Sequence, residues 1–133
     1  MFALDKRLAT DTEPVADWPL CRVLLMRDAN YPWLILVPRR DGARHLHELD
    51  AADQSQAMTE ISRASAALES LHSPYKINVA ALGNVVDQLH IHVIARFKTD
   101  PAWPGPVWGV VPALMYGGDH LRETVERLHQ VLD

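Results

Sequence analysis

Two apolar runs in the first third of the chain constrain its fold most strongly. The first extends from Leu20 to Met26 and the second from Trp33 to Val37, and nearly every residue in both is apolar. Asp28, Asn30 and Pro32 lie between the runs, and these residue types favour turns. Short apolar runs bounded by turn formers are typical of strands that are buried on both faces. The pattern therefore predicts a central β-hairpin.

Downstream of this hairpin, the sequence predicts one long helix. Asp50 can cap its start, and Pro74 ends the segment. Four apolar residues recur between these points at helical spacing, so we expect them to face a sheet. They are Met58, Ile61, Leu68 and Leu71.

A second strand pair is predicted after the long helix. Residues 76–82 and 88–97 are rich in β-branched side chains. A short segment containing Gly83 and Asn84 separates them, and both residue types are common where the chain turns.

The two ends of the chain predict shorter helical elements. Leu4 and Leu8 share one helical face that residues 11–14 interrupt, so we expect a turn or short helix followed by a loop. Near the other end, residues 117–119 precede an apolar stripe that predicts a terminal helix. The stripe consists of Leu121, Val125, Leu128 and Leu132.

The order hairpin, long helix, hairpin and terminal helix predicts an α+β protein whose antiparallel sheet carries its helices on one face. The alternating order of a doubly wound parallel sheet is absent. A chain of 133 residues suits one domain, and no repeat or linker divides it. We therefore expect a single domain over residues 1–133.

Composition narrows the classes of partner and compartment. The formal net charge is −4 and the sequence pI is about 5.9, which does not favour binding of nucleic acid. Residues 1–7 lack the apolar core of a signal peptide, and no stretch approaches the roughly 18 apolar residues of a membrane span. Cys21 is the single cysteine, which excludes an intrachain disulfide. A cytoplasmic protein without membrane contact is expected.

The chemistry of the chain is concentrated in the segment Gln88-Leu89-His90-Ile91-His92-Val93-Ile94. Successive side chains of a strand point to opposite faces, so Gln88, His90 and His92 share one face and the apolar residues share the other. Two imidazoles at this spacing can act as base and partner, as nucleophile and orienting group, or as metal ligands. Spacing alone leaves these three roles open.

The wider segment from Asn78 to Arg96 resembles the signature of the histidine triad (HIT) superfamily, His-φ-His-φ-His-φ-φ, in which φ is apolar. Gly83 and Asn84 ahead of the triad are similar to the family pattern, as is Asp28 ahead of residues 32–38. The resemblance spans residues 20–108. Gln88 stands in place of the first histidine, as in a HIT-like branch similar to diadenosine polyphosphate hydrolases.

The resemblance implies an antiparallel sheet of about five strands with one long central helix and a C-terminal helix, usually assembled as a homodimer. It also implies a purine nucleotide or dinucleotide ligand. Family enzymes hydrolyse or transfer nucleoside monophosphates from phosphoramidates and dinucleoside polyphosphates. Attack by a histidine of this chain, with the developing charge held by main-chain amides, would require no metal or cofactor.

Family roles can be carried over residue by residue. The nucleophile maps to His90, and the last triad member maps to His92. The loop whose main-chain amides contact the α-phosphate maps to Gly83, Asn84, Val85 and Val86. The remaining substrate-binding positions map to Asp28, as the acidic residue that holds a ribose hydroxyl, and to Gln88.

Two positions depart from the family pattern. Gln88 cannot carry a proton as the first histidine would, and Trp33 stands where family members usually have a further histidine. The leading hypothesis is a nucleotide hydrolase or transferase that works through His90, with a preference for good leaving groups. A nucleotide-binding module without turnover is the second. The third is a metal site on His90 and His92 with a carboxylate or His45.

The segment from Trp103 to Trp108 combines indoles with prolines and predicts a rigid loop. We expect this loop to pack on the core or on a partner chain. The functional alternative is that one indole reaches the nucleotide site.

Overall fold

A computed structural model describes residues 1–133 of the chain as three α-helices, five strands and a short 3-10 helix at Leu46–Glu48. The elements in chain order are α1 (Lys6–Asp11), β1 (Thr12–Asp17), β2 (Cys21–Met26), β3 (Trp33–Pro38), α2 (Ala51–His72), β4 (Lys76–Ala80), β5 (Ile91–Arg96) and α3 (Gly118–Leu132). The strands form one antiparallel sheet in the order β1-β2-β3-β5-β4. The predicted α+β class is confirmed, and the long helix and the terminal helix lie on one face of the sheet as predicted, whereas α1 lies on the other face.

The hairpin of β2 and β3 forms the middle of the sheet, as its apolar runs predict. All six residues of β3 are buried, and Leu24 on β2 pairs with Ile35 on β3. Alternate side chains of the strands belong to two separate apolar clusters, one between the sheet and the helices α2 and α3, and one on the opposite face of the sheet. Leu34 belongs to the first cluster, and Trp33 and Ile35 belong to the second.

Helix α2 begins and ends where the sequence predicts. The Asp50 carboxylate accepts a hydrogen bond from the Asp53 amide at 2.8 Å, and Ser73 ends the helix with a left-handed φ of 49°. Ile61 and Leu68 face the sheet as predicted, but the prediction for Met58 is wrong because its side chain is 61% exposed. Three of the six buried residues of α2 are alanines, whose small side chains let the helix lie close to the sheet, and Met58 lies outside this buried stripe.

A buried carboxylate that sequence patterns do not reveal joins α2 to the sheet. Glu60 is 1% exposed and accepts hydrogen bonds from the amides of Leu20 at 2.9 Å and Cys21 at 2.7 Å. Leu20 directly precedes β2, and Cys21 is the first residue of that strand. Glu60 thereby fixes the start of the central hairpin against the long helix.

The predicted loop after the N-terminal helix is wrong. Thr12–Asp17 forms β1, which pairs with β2 at one edge of the sheet. Pro14 is compatible with an edge strand because one side of the strand needs no ladder hydrogen bonds, and the register shifts between Pro14 and Ala16. Pairing with β2 therefore overrides the local turn signals.

The second strand pair is confirmed, with shorter strands than predicted. β4 ends at Ala80 and β5 begins at Ile91, so residues 81–90 form a long connection that contains Gly83 and His90. In α3, Leu128 and Leu132 are buried and Leu121 and Val125 pack against the same cluster, as the stripe predicts. None of the helices combines the length and apolar character needed to span a bilayer.

Candidate active site

A cleft with a volume of about 200 Å³ lies on the face of the sheet opposite α2 and α3. The connection after β4 contributes residues 82–86 to one side, and α1 contributes Arg7, Leu8 and Asp11 to another. Trp33 and Trp108 complete an apolar wall. The predicted catalytic residues His90 and His92 both line this cleft.

The geometry of His90 leaves one ring nitrogen free. Its Nδ1 lies 2.7 Å from the main-chain oxygen of Gln88. A carbonyl oxygen can only accept, so Nδ1 carries the proton and donates it to this bond. Nε2 then retains its lone pair and is available to attack an electrophile or accept a proton.

His92 has both ring nitrogens engaged. The Trp33 Nε1–H donates to His92 Nδ1 at 3.0 Å, so the ring proton lies on Nε2, which donates to the Leu82 oxygen at 2.9 Å. Burial lowers the pKa of His92 to about 4; the Leu82 bond opposes this shift, and the adjacent His90 adds to it. The two imidazole centroids are 4.9 Å apart. His92 is therefore neutral near pH 7, and Trp33 determines its tautomer.

The depressed pKa of His92 predicts a specific loss of stability in acid. In the unfolded chain the His92 ring binds a proton near pH 6.5, whereas in the folded protein it does so only near pH 4. The unfolded state therefore binds more protons between these pH values, and the free energy of unfolding falls as the pH drops through them. The full contribution is about 3 kcal/mol. We expect His92→Asn to flatten the pH dependence of urea unfolding in this window. Equal slopes in both proteins would contradict the assigned protonation state.

The connection between β4 and β5 passes very close to His90. A Cβ atom on Gly83 would lie 2.7 Å from the Val86 oxygen and 2.9 Å from His90 Cε1, so no side chain fits there. The main-chain amides of Asn84, Val85 and Val86 donate to no other protein group. Unpaired amides on a loop beside a histidine can donate hydrogen bonds to an anion. A loop that contacts the α-phosphate, as predicted for these residues, needs such donors.

Two predicted substrate-binding residues lie outside the lining of the cleft. Asp28 is buried, and its Oδ1 accepts hydrogen bonds from the Asn30 amide at 3.0 Å and the Leu114 amide at 3.2 Å. The Gln88 side chain is bonded to the N-terminal main chain, although its own carbonyl orients His90. The short turn after β2 directs Asp28 to the segment at Leu114, and its contact with a ribose stays a prediction.

Sequence reasoning did not identify the contribution of α1 to the cleft. Arg7 Nε and Asp11 Oδ2 lie 3.8 Å apart at its edge, and Leu8 is buried. The spacing of Leu4 and Leu8 predicts a helical turn, but no local signal indicates which surface that turn covers. Its position depends on contacts with residues distant in sequence.

The two indoles of the proline-rich loop have different surroundings. Trp108 lines the cleft, with its ring 5.0 Å from that of His92 and 5.8 Å from that of Trp33. Trp103 packs at 5.4 Å against Tyr75 instead. Both interpretations of this loop therefore apply: Trp103 packs against Tyr75 away from the cleft, and Trp108 reaches the candidate site.

The structure shows no set of side chains that matches the hypothesis of a metal site on His90 and His92. No group of three or more His, Cys, Asp or Glu side chains is arranged to hold a metal ion. The ring of His45, the suggested third ligand, stacks on that of His47 with centroids 5.4 Å apart. Both nitrogens of His92 already have protein partners.

Comparisons with known proteins agree with this geometry. Residues 7–99 match the HIT domain. A histidine triad protein from Bradyrhizobium japonicum is 47% identical, with a TM-score of 0.97 over 99% of this chain and 98% of its own. One from Marinobacter aquaeolei VT8 is 45% identical, with a TM-score of 0.96 over 99% and 96% of the two chains.

A third solved structure, a HIT protein from Sinorhizobium meliloti 1021, is 43% identical, with a TM-score of 0.95 over 98% of this chain and 97% of its own. No curated protein matches the chain. The HIT domain covers well over half of the chain and includes His90 and His92. By fold and by sequence, the chain belongs to the HIT family of histidine triad proteins.

Proposed function

We propose that this protein is a nucleotide hydrolase or nucleotidyl transferase, similar to diadenosine polyphosphate hydrolases, that uses His90 as its nucleophile. Its substrates are nucleoside phosphoramidates or dinucleoside polyphosphates, attacked at the α-phosphate. One observation carries the proposal: His90 Nδ1 is bonded to the Gln88 carbonyl at 2.7 Å, which leaves Nε2 free inside the cleft. Family membership supports a nucleotide as the ligand.

The cleft offers separate surroundings for the two halves of a nucleotide. Leu8, Trp33 and Trp108 supply apolar and aromatic surface suited to a purine nucleoside. The unpaired amides of residues 84–86 supply hydrogen-bond donors for the non-bridging oxygens of the α-phosphate. A nucleotide bound in this way presents its phosphorus atom to His90.

The proposed reaction has two steps. His90 Nε2 attacks the α-phosphorus, the bond to the leaving group breaks, and a covalent nucleotidyl-histidine forms. The Gln88 carbonyl stabilises the positive charge that develops on the ring through Nδ1–H. Water then cleaves the phosphorus–nitrogen bond, which releases the nucleoside monophosphate and restores His90. The scheme uses no metal or cofactor.

The surroundings of His90 bear on the choice of leaving group. Gln88 cannot carry a proton, and both nitrogens of His92 are committed to Trp33 and Leu82. Protonation of the departing group by these residues is therefore weak. We infer a preference for leaving groups that depart as stable anions, such as the polyphosphate half of a dinucleotide.

We further propose a cytoplasmic homodimer that contacts neither nucleic acid nor membrane. A homodimer is usual in the family, and β4 offers an open sheet edge because it pairs only with β5. Tyr75 and Val79 at this edge are 62% and 48% exposed. An edge with exposed apolar side chains is suited to pairing with a second copy of the chain.

A binding module without turnover is the second candidate. The same hydrogen bond that fixes the His92 tautomer favours it, because Trp33 withdraws His92 from proton transfer. Such a protein would be stabilised against heat by adenosine monophosphate but would leave substrates intact.

The first experiment is incubation of the protein with adenosine phosphoramidate and with diadenosine tetraphosphate, followed by measurement of released adenosine monophosphate. We expect release from both, faster from the dinucleotide. Rapid quenching at alkaline pH and mass spectrometry of the intact chain should detect one adenylate bound per chain. Thermal stabilisation by adenosine monophosphate with no release would contradict catalysis and favour the binding module.

A further inference from the structure

Gln88 makes two hydrogen bonds to the main chain of the N-terminal segment. Its Nε2–H donates to the Ala3 oxygen at 2.8 Å, and its Oε1 accepts from the Asp5 amide at 2.8 Å. One side-chain amide thus satisfies a carbonyl and an amide of the segment that leads into α1. More than 80 residues separate the partners in sequence, so this is a tertiary contact.

The pair of bonds suits a glutamine and no other residue of similar size. A glutamate could accept from the Asp5 amide but would place a second oxygen against the Ala3 carbonyl. A neutral histidine also has one donor and one acceptor, but they lie on nitrogens that diverge around the ring, and a protonated histidine has no acceptor. The family's first histidine could therefore not hold this segment in the same way.

The anchored segment forms part of the cleft. Asp5 caps α1 by accepting a hydrogen bond from the Arg7 amide at 2.8 Å, and α1 then places Leu8 and Asp11 in the lining. Gln88 is connected to the nucleophile as well, through the bond from His90 Nδ1 to its carbonyl. Gln88 is therefore bonded both to the segment that leads into the wall of the cleft and to the histidine that faces this wall.

We propose that Gln88 is a positioning residue: its side chain holds α1 in place as a wall of the nucleotide cleft and thereby sets nucleotide affinity. This inference rests on the proposed nucleotide site. Gln88 stands where the family has a histidine that can carry a proton, but it affects nucleotide binding through its bonds to the N-terminal segment. It does not touch the reacting atoms, so its loss affects KM and Kd more than kcat.

The test uses Gln88→Glu, with Gln130→Glu on the exposed face of α3 as the matched control. We expect Gln88→Glu to raise the Kd for adenosine monophosphate and the KM for diadenosine tetraphosphate about tenfold. We expect kcat to change less than about twofold, because the His90 bond uses the main chain of residue 88. Hydrogen exchange should become faster in residues 3–11 alone. The control should match the wild type.

A second pair of variants isolates the hydrogen bond if Gln88→Glu is poorly folded. Asp5 has a φ of −54°, which proline can adopt, so Asp5→Pro removes the amide donor while Asp5→Ala keeps it. Both lose the side-chain cap. We expect the proline variant to bind adenosine monophosphate more weakly and to exchange faster in residues 3–11 than the alanine variant.

Three results would overturn the inference. Unchanged exchange and Kd in Gln88→Glu would show that the bonds do not hold the wall. A hundredfold fall in kcat with unchanged KM would place Gln88 in the chemistry. A wild-type protein that binds no nucleotide would refute both the proposed function and the effect of Gln88 on affinity. In that case, faster hydrogen exchange of residues 3–11 in Gln88→Glu would still show that Gln88 anchors the N-terminal segment, and unchanged exchange would show that it does not.

Discussion

Replacement of His90 by alanine is expected to lower kcat for adenosine monophosphate release by about a thousandfold or more. The adjacent His92 cannot take its place, since both of its ring nitrogens are bonded to Trp33 and Leu82. The measurement is release from diadenosine tetraphosphate at saturating substrate. The adenylate adduct should disappear from the variant.

The matched control is His72→Ala. His72 is partly buried at the end of α2 and does not line the cleft, so its loss should leave kcat unchanged. The His90 variant should still be stabilised against heat by adenosine monophosphate, because the apolar wall and the loop amides remain. Activity retained by His90→Ala would overturn the covalent scheme and leave the fold assignment intact.

The largest expected effect on stability comes from Arg96→Met. Arg96 Nε lies 2.8 Å from Asp100 Oδ2, and the two side chains are only 1% and 3% exposed. Removal of the guanidinium leaves the Asp100 carboxylate buried without its counter-charge, which costs about 3–5 kcal/mol of unfolding free energy. Arg96 also donates to the Asn78 side chain and to the Gly105 oxygen, each at 2.8 Å, so β4 and the loop lose contacts too. Urea unfolding at pH 7 measures the change.

An exposed ion pair supplies the comparison. Arg22 Nε and Asp17 Oδ1 are 3.0 Å apart, but their side chains are 34% and 57% exposed. Arg22→Met should therefore change the free energy of unfolding by less than about 1 kcal/mol. Similar losses of unfolding free energy in Arg96→Met and Arg22→Met would indicate that burial does not determine how much Arg96 contributes to stability. The loop that Asp100 holds leads to Trp108, so the cleft should also lose affinity in Arg96→Met.

The predicted elements were correct where local patterns and tertiary packing agree. The apolar hairpin, the capped start of α2 at Asp50 and the stripe on α3 all lie where the sequence places them. β1 was missed because its strand character comes from pairing with β2, which outweighs the turn signals around Pro14. Met58 was misplaced because three of the six buried residues of α2 are alanines, which carry little periodic signal.

The candidate site was only partly predictable. The alternation of a strand indicated that His90 and His92 share a face, and both line the cleft. No pattern indicated that Trp33 would donate to His92, since their pairing depends on the register of β3 against β5. The position of α1 in the cleft depends on the distant Gln88.

The amino-acid sequence by itself determined the α+β class, the two halves of the sheet and the family, because periodicity, turn formers and the histidine segment are local properties. Only the tertiary structure decided the chemical state of each histidine. Protonation and tautomer depend on which groups lie within about 3 Å of each ring nitrogen. Those groups are the Gln88 carbonyl for His90, and the Trp33 indole and Leu82 carbonyl for His92. Strand register and a ten-residue connection bring the latter two to His92, and neither can be derived from residue types alone.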